Sequence, residues 1–208
     1  MKTYFIAALL LAASTWTVQS QTKGTNSIGF GVSSSTSKYE VDPANAIYNE
    51  QKGTNYSLTF GHFVKDNARI GLTATYFEGS SKSTSGGVNS DNKGYGGILH
   101  YQKYYPLLKR FYAYAGGRGR YLYSKDRQYY QSSGSNSYKG STYGIGAYGG
   151  AAYFLSKRFA FEAQLLTADF TYYKQTNTLN SAKSTQTNLN ISSSGVINDL
   201  GFSIYLLF

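Results

Sequence analysis

The chain has no cysteine, which excludes both a disulfide framework and a thiolate metal site. Its two histidines are too few for a histidine-built metal centre, and no cofactor is expected. Its two prolines leave no room for a Pro-rich linker, and a chain of 208 residues is of single-domain size. Beyond the N-terminus there is no apolar run near the roughly 20 residues a membrane-spanning helix needs. Acids are scarce as well: 10 Asp and Glu stand against 20 Lys and Arg, a net charge of +10.

The N-terminus is the one strongly apolar stretch. Lys2 precedes an uncharged run over residues 4–13, followed by the small residues of Val18-Gln19-Ser20. A basic start, a short apolar middle and a small-residue end describe a secretory signal peptide. Cleavage is expected after Ser20, which divides the chain into a signal peptide, residues 1–20, and a mature domain, residues 21–208. Loss of Lys2 leaves the mature chain at +9 (10 − 1). Export argues against nucleic acid as the partner of this positive charge, and an anionic lipid or polysaccharide surface suits it better.

What the chain has in abundance is strand and turn material: 22 Tyr, 12 Phe and 23 Gly, with much Ser and Thr. Mean hydropathy is −0.38, a value that resembles a soluble protein, but alternation of lipid-facing and lumen-facing residues averages hydropathy away. Period-two alternation is present in eight segments. In the last, Val196, Asn198, Leu200, Phe202, Ile204, Leu206 and Phe208 share one face. Ile197, Asp199, Gly201, Ser203, Tyr205 and Leu207 share the other. Similar patterns begin at Ile28, Tyr56, Ile70, Tyr95, Phe111, Tyr143 and Phe159. In the Phe159 segment the outward parity takes Phe159, Phe161, Ala163 and Leu165, and the polar parity takes Glu162, Gln164 and Leu166.

The connections alternate strictly. Residues 64–69, 106–110 and 155–158 are short and basic, whereas residues 36–52, 79–93, 124–140 and 174–192 are long and polar. Tight turns on one side and long loops on the other are the layout of an outer-membrane barrel. The fold class expected is all-β, an eight-stranded antiparallel up-and-down transmembrane β-barrel. The last strand should pair with the first, because hydrocarbon leaves no backbone polar group unpaired. Asp169 and Glu78 fall on the outward parity near the outer strand ends, where a charge at the rim costs little.

The mature chain resembles the small outer-membrane barrels of the OmpA/OmpX type. The most specific part is the C-terminus, LGFSIYLLF over residues 200–208. The resemblance implies an outer-membrane location and an assembly signal in Phe202, Ile204, Leu206 and Phe208 that the barrel-assembly machinery reads. The sequence departs from longer members of that type, which carry a periplasmic peptidoglycan-binding domain after the barrel; it stops at Phe208, so no cell-wall tether is expected.

Members of that architecture include inert barrels, adhesins, narrow channels and a few lipid-modifying enzymes, and fold alone does not choose among them. Arg118, Arg120, Glu162, Asp199 and His100 fall on the inward parity, with Gln102 and Gln164 beside them. Eight strands enclose a space that side chains fill, so these charges are expected to pair into a plug. The glycine clusters 94–97, 116–119 and 144–146 lie within strands and precede no helix, so they are not phosphate loops. In the polar loops, Lys82, Lys93, Lys125, Arg127 and Lys139 suit anionic lipopolysaccharide. Lys125 and Arg127 with Tyr129, Tyr130 and Tyr138 form the best loop-binding group for an extracellular ligand. The function expected is non-enzymatic, structural or surface-interacting, with a narrow solute channel as the alternative and a lipid-modifying enzyme behind it.

Overall fold

A computed structural model describes residues 22–40, 48–83, 89–130, 134–192 and 202–208. The expected signal peptide and Asp199 lie outside them. The strands are β1 (Asn26–Glu40), β2 (Tyr48–Lys65), β3 (Ala68–Ser83), β4 (Asn89–Pro106), β5 (Phe111–Tyr130), β6 (Gly134–Phe154), β7 (Phe159–Asn177), β8 (Lys183–Ser192) and β9 (Phe202–Leu207). Each of β1 to β7 pairs antiparallel with the next, β8 and β9 both pair with β7, and β9 pairs with β1. The ring therefore has eight strand positions, the eighth shared by β8 along the outer half of β7 and β9 along its inner half. Closure runs through six residue pairs, from Ser27 with Leu207 to Val32 with Phe202. The last residue continues the ladder: the N–H of Asn26 donates to the Phe208 carbonyl at 2.8 Å, and the N–H of Phe208 donates to the Asn26 carbonyl at 3.0 Å.

The long polar segments are not irregular loops. β1 and β2, β3 and β4, β5 and β6, and β7 and β8 continue as paired hairpins well past the apolar band, so much of what the sequence suggests as loop is ladder. Ser, Thr and Tyr tolerate a pleated backbone, and continuous pairing satisfies their N–H and C=O groups. The first short connection is shorter than expected. Lys65 pairs with Ala68, and Asp66-Asn67 alone makes the turn, with Asn67 at φ 59°, a left-handed conformation asparagine tolerates.

Outward residues form an apolar belt. Leu72, Leu99 and Ile145 are 60%, 60% and 67% exposed, which water would penalise and lipid would not. A tyrosine girdle runs round the outer edge of this band. Tyr56 and Tyr76 lie 6.5 Å apart, Tyr95 and Tyr123 5.5 Å, Tyr121 and Tyr143 5.1 Å, and Tyr143 and Tyr172 6.4 Å, centroid to centroid. On β4 the outward face runs from Tyr95 to Tyr105. Ten steps of about 3.3 Å, tilted about 40°, span about 25 Å, the height of an outer-membrane apolar band.

One irregularity changes which residues face inward. Gly149 pairs with Leu166 and Gly150 with Gln164, so Leu165 is an extra residue in β7, a β-bulge. The alternation slips by one there. Leu166 is exposed outward at 57%, Leu165 turns toward the lumen, and Asp169 is buried inside the barrel rather than sitting outward at the rim. Strict alternation through the segment gave both Leu165 and Leu166 the wrong face.

Candidate functional site

The lumen is organised in two charged tiers. The lower tier is built on Arg69 of β3 and Glu162 of β7, 1% and 6% exposed, whose Nη2 and Oε2 are 2.9 Å apart. Strand positions three and seven of an eight-membered ring are diametrically opposed, so this pair spans the lumen. Gln102 joins both: Arg69 Nη2 donates to its Oε1 at 3.3 Å, and its Nε2 donates to Glu162 Oε2 at 3.2 Å. The Tyr104 hydroxyl donates to Glu162 Oε1, and the Tyr148 hydroxyl donates to Gln102 Oε1 at 3.1 Å. The Arg69 guanidinium lies 4.2 Å from the Tyr205 ring centroid and 5.6 Å from that of Tyr104. Below, Phe63, Tyr104, Tyr114, Phe154, Tyr205 and Leu207 pack into the principal buried cluster. The periplasmic half of the lumen is thus filled by aromatic rings capped by a hydrogen-bonded ion pair.

Two glycines make room for this tier. A Cβ at Gly61 would stand 2.7 Å from the Arg69 side chain, and one at Gly71 would stand 2.3 Å from His100 Nε2. A glycine beside each large side chain, directly opposite for His100 and diagonal for Arg69, lets an eight-stranded barrel hold Arg and His inside.

The upper tier joins Arg118 of β5 to Asp169 of β7 in a bidentate pair, Nε to Oδ1 at 3.0 Å and Nη2 to Oδ2 at 2.5 Å. Arg118 Nη1 also donates to Gln164 Oε1 at 3.2 Å. The intervening strand position is Gly146, over which the carboxylate lies. His100 is buried between the tiers, edge-on to Tyr148 at 6.3 Å. Arg120 faces the lumen as the parity requires, half-buried, and its Nε has no hydrogen-bond partner among the described residues. Above Arg118 is a cavity of about 550 Å³ lined by polar residues including Ser33, Ser35, Asn55, Asn92 and Gln164.

Of the lumen group expected from sequence, Arg118, Glu162 and His100 are brought close in the two tiers, and Arg120 lies within electrostatic reach of the Arg118–Asp169 pair without joining it by an ion pair. Arg69 and Asp169 are the residues sequence reasoning missed. Arg69 ends the short basic segment 64–69, yet the outward parity of Ile70 puts it on the inward face. For Asp169 no sequence signal marks the bulge. Ile204, Leu206 and Phe208 face outward at the periplasmic edge, 50%, 39% and 65% exposed. The loop group divides between two faces. Lys125, Arg127 and Tyr129 point outward, while Tyr130 and Tyr138 are half-buried on the inner face of the hairpin. Tyr130 donates to Gln128 Oε1 at 3.0 Å there. Asp126 shares that inner face. Burial pushes its carboxyl above the ordinary aspartate range, the Asp91 charge adds to this, and a hydrogen bond from Gln128 opposes it.

A closed ring of antiparallel strands, an apolar exterior with a tyrosine girdle and a polar interior define a transmembrane barrel of the small outer-membrane class. Solved structures with which it shares the fold include an outer membrane protein. The translocator domain of the autotransporter NalP from Neisseria meningitidis matches with a TM-score of 0.53 at 12% identity, over 92% of this chain and 65% of that one. The chain thus spans about two thirds of the NalP domain. The outer membrane protein OprG from Pseudomonas aeruginosa matches with a TM-score of 0.52 at 14% identity, over 92% of this chain and 99% of that one. Neisserial surface protein A matches at 14% identity and a TM-score of 0.48, over 89% and 98%. No family model matches the sequence, and no curated protein matches it. The likeness is one of fold.

Proposed function

We propose that the protein is a non-enzymatic outer-membrane barrel, released from a signal peptide after Ser20, that serves envelope integrity or surface contact through its outer hairpins. The observation that carries this reading is the lower tier: an ion pair across the full width of the lumen, backed by packed aromatic rings, leaves the wall and the outer hairpins as working surfaces. The two histidines have structural contacts. His62 Nδ1 is hydrogen-bonded to Asn26 Oδ1 at 2.8 Å, and His100 lies edge-on to Tyr148. The test is planar-bilayer conductance of the refolded mature chain. The bilayer is expected to stay silent, and steady discrete openings would overturn the closed-lumen reading. The cavity above Arg118 favours a second reading, a narrow path for small polar solutes, which those openings would establish.

A further inference from the structure

Just beyond the tyrosine girdle, on the outward face, three lysines stand side by side. Lys93 of β4 pairs directly with Lys125 of β5, and Lys125 pairs directly with Lys139 of β6. Neighbouring strands are about 4.8 Å apart, so three like charges are rooted in one lateral row, an arrangement that disfavours the sheet unless an anion lies across it. All three are exposed, and none makes an ion pair among the described residues. Arg127 and Lys174 extend the positive field on the same face. Among the described residues the acids of that face near the row are Asp91, opposite Arg127, and Glu78, opposite Lys93, while Glu50 on β2 is paired with Lys38 and Lys52; none stands opposite Lys125 or Lys139 in register.

The height of the row says what covers it. Lys93 is two residues beyond Tyr95, and Lys125 two beyond Tyr123, which is about 7 Å along a strand. Tyrosine girdles sit at headgroup level, so these ammonium groups meet the phosphate layer of the outer leaflet from the side. We propose that Lys93, Lys125 and Lys139 form a docking row for the phosphate groups of an anionic outer-leaflet lipid. The inference is independent of whether the lumen conducts.

The test uses the full mature chain in neutral detergent, titrated with bisphosphorylated lipid A and read by native mass spectrometry. Each lysine near an anionic surface contributes about fivefold, so Lys93→Gln with Lys125→Gln and Lys139→Gln is expected to weaken binding on the order of a hundredfold. Lys157→Gln, in a periplasmic turn, is expected to leave it unchanged. Lipid A stripped of phosphate should bind the unaltered protein as weakly as the triple variant binds the intact lipid. If the triple variant does not fold, Lys125→Gln alone, at the centre of the row, is expected to cost about fivefold. Three results would overturn the proposal: unchanged affinity in the variant that folds, equal binding of the dephosphorylated lipid, or full displacement by inorganic phosphate. The last would point to a soluble phosphate ligand.

Discussion

Removing Glu162 should expose how much of the barrel rests on the lower tier. Glu162→Leu leaves Arg69, 1% exposed, with Gln102 Oε1 at 3.3 Å as its remaining side-chain acceptor among the described residues. It also leaves the Tyr104 hydroxyl without its acceptor. Breaking a buried ion pair from one side costs about 3–5 kcal/mol. The Tyr205 ring, 4.2 Å from the guanidinium, offsets part of that by cation–π attraction, so the lower end, about 3 kcal/mol, is expected. Arg69→Met should cost a similar amount by stranding the carboxylate. The double variant should cost less than the sum of the two by at least about 2 kcal/mol, because neither stranded charge remains. Urea unfolding of the protein refolded in lipid vesicles, followed by circular dichroism and by the gel-mobility shift of the folded form, measures all three. Additive single effects, or a Glu162→Leu cost within about 0.5 kcal/mol, would refute the tier as a structural unit.

Four further outcomes follow from local geometry. Gly146→Ala would place a methyl 2.1 Å from Asp169 Oδ1 and 2.6 Å from the Ala168 carbonyl, and should cost about 1–3 kcal/mol in the same urea assay. Gly119→Ala meets nothing within 4 Å and should cost less than about 0.5 kcal/mol. For Asp126, a carboxyl held above its ordinary range favours the protonated form in the fold. Its contribution is therefore most favourable below the unfolded pKa, near the ordinary 3.8, and is lost as pH rises through the folded value. Asp126→Asn should accordingly slow hydrogen exchange in the β5–β6 hairpin at neutral pH and have no effect at acid pH. Phe208→Ala should slow assembly into membranes while changing the urea midpoint little, since the ring is 65% exposed and the ladder to Asn26 is made by backbone. An equal loss in both measurements would assign Phe208 to packing.

The sequence carried the ring of strands because the physical signal, alternate apolar residues against lipid, repeats along every wall. It carried the inward parity of Arg118, Arg120, Glu162 and His100 for the same reason. It did not carry the pairing. Arg118 meets Asp169 only because Leu165 bulges out of register, and a bulge is set by how two strands accommodate one another. Arg69 meets Glu162 only because the ring closes and brings β3 opposite β7, a tertiary fact. The outer hairpins were misjudged because serine- and threonine-rich segments read as loop by composition, whereas cross-strand pairing decides their state.

The most direct test of the closed lumen uses the absence of native cysteine. Asn92→Cys lies in the outer cavity, and Ala160→Cys lies in the buried cluster beneath Arg69. A membrane-impermeant thiol reagent added only to the extracellular side of vesicles should label Asn92→Cys readily and Ala160→Cys not at all. Equal labelling at both positions would mean that water crosses the Arg69–Glu162 tier and that the barrel is a channel.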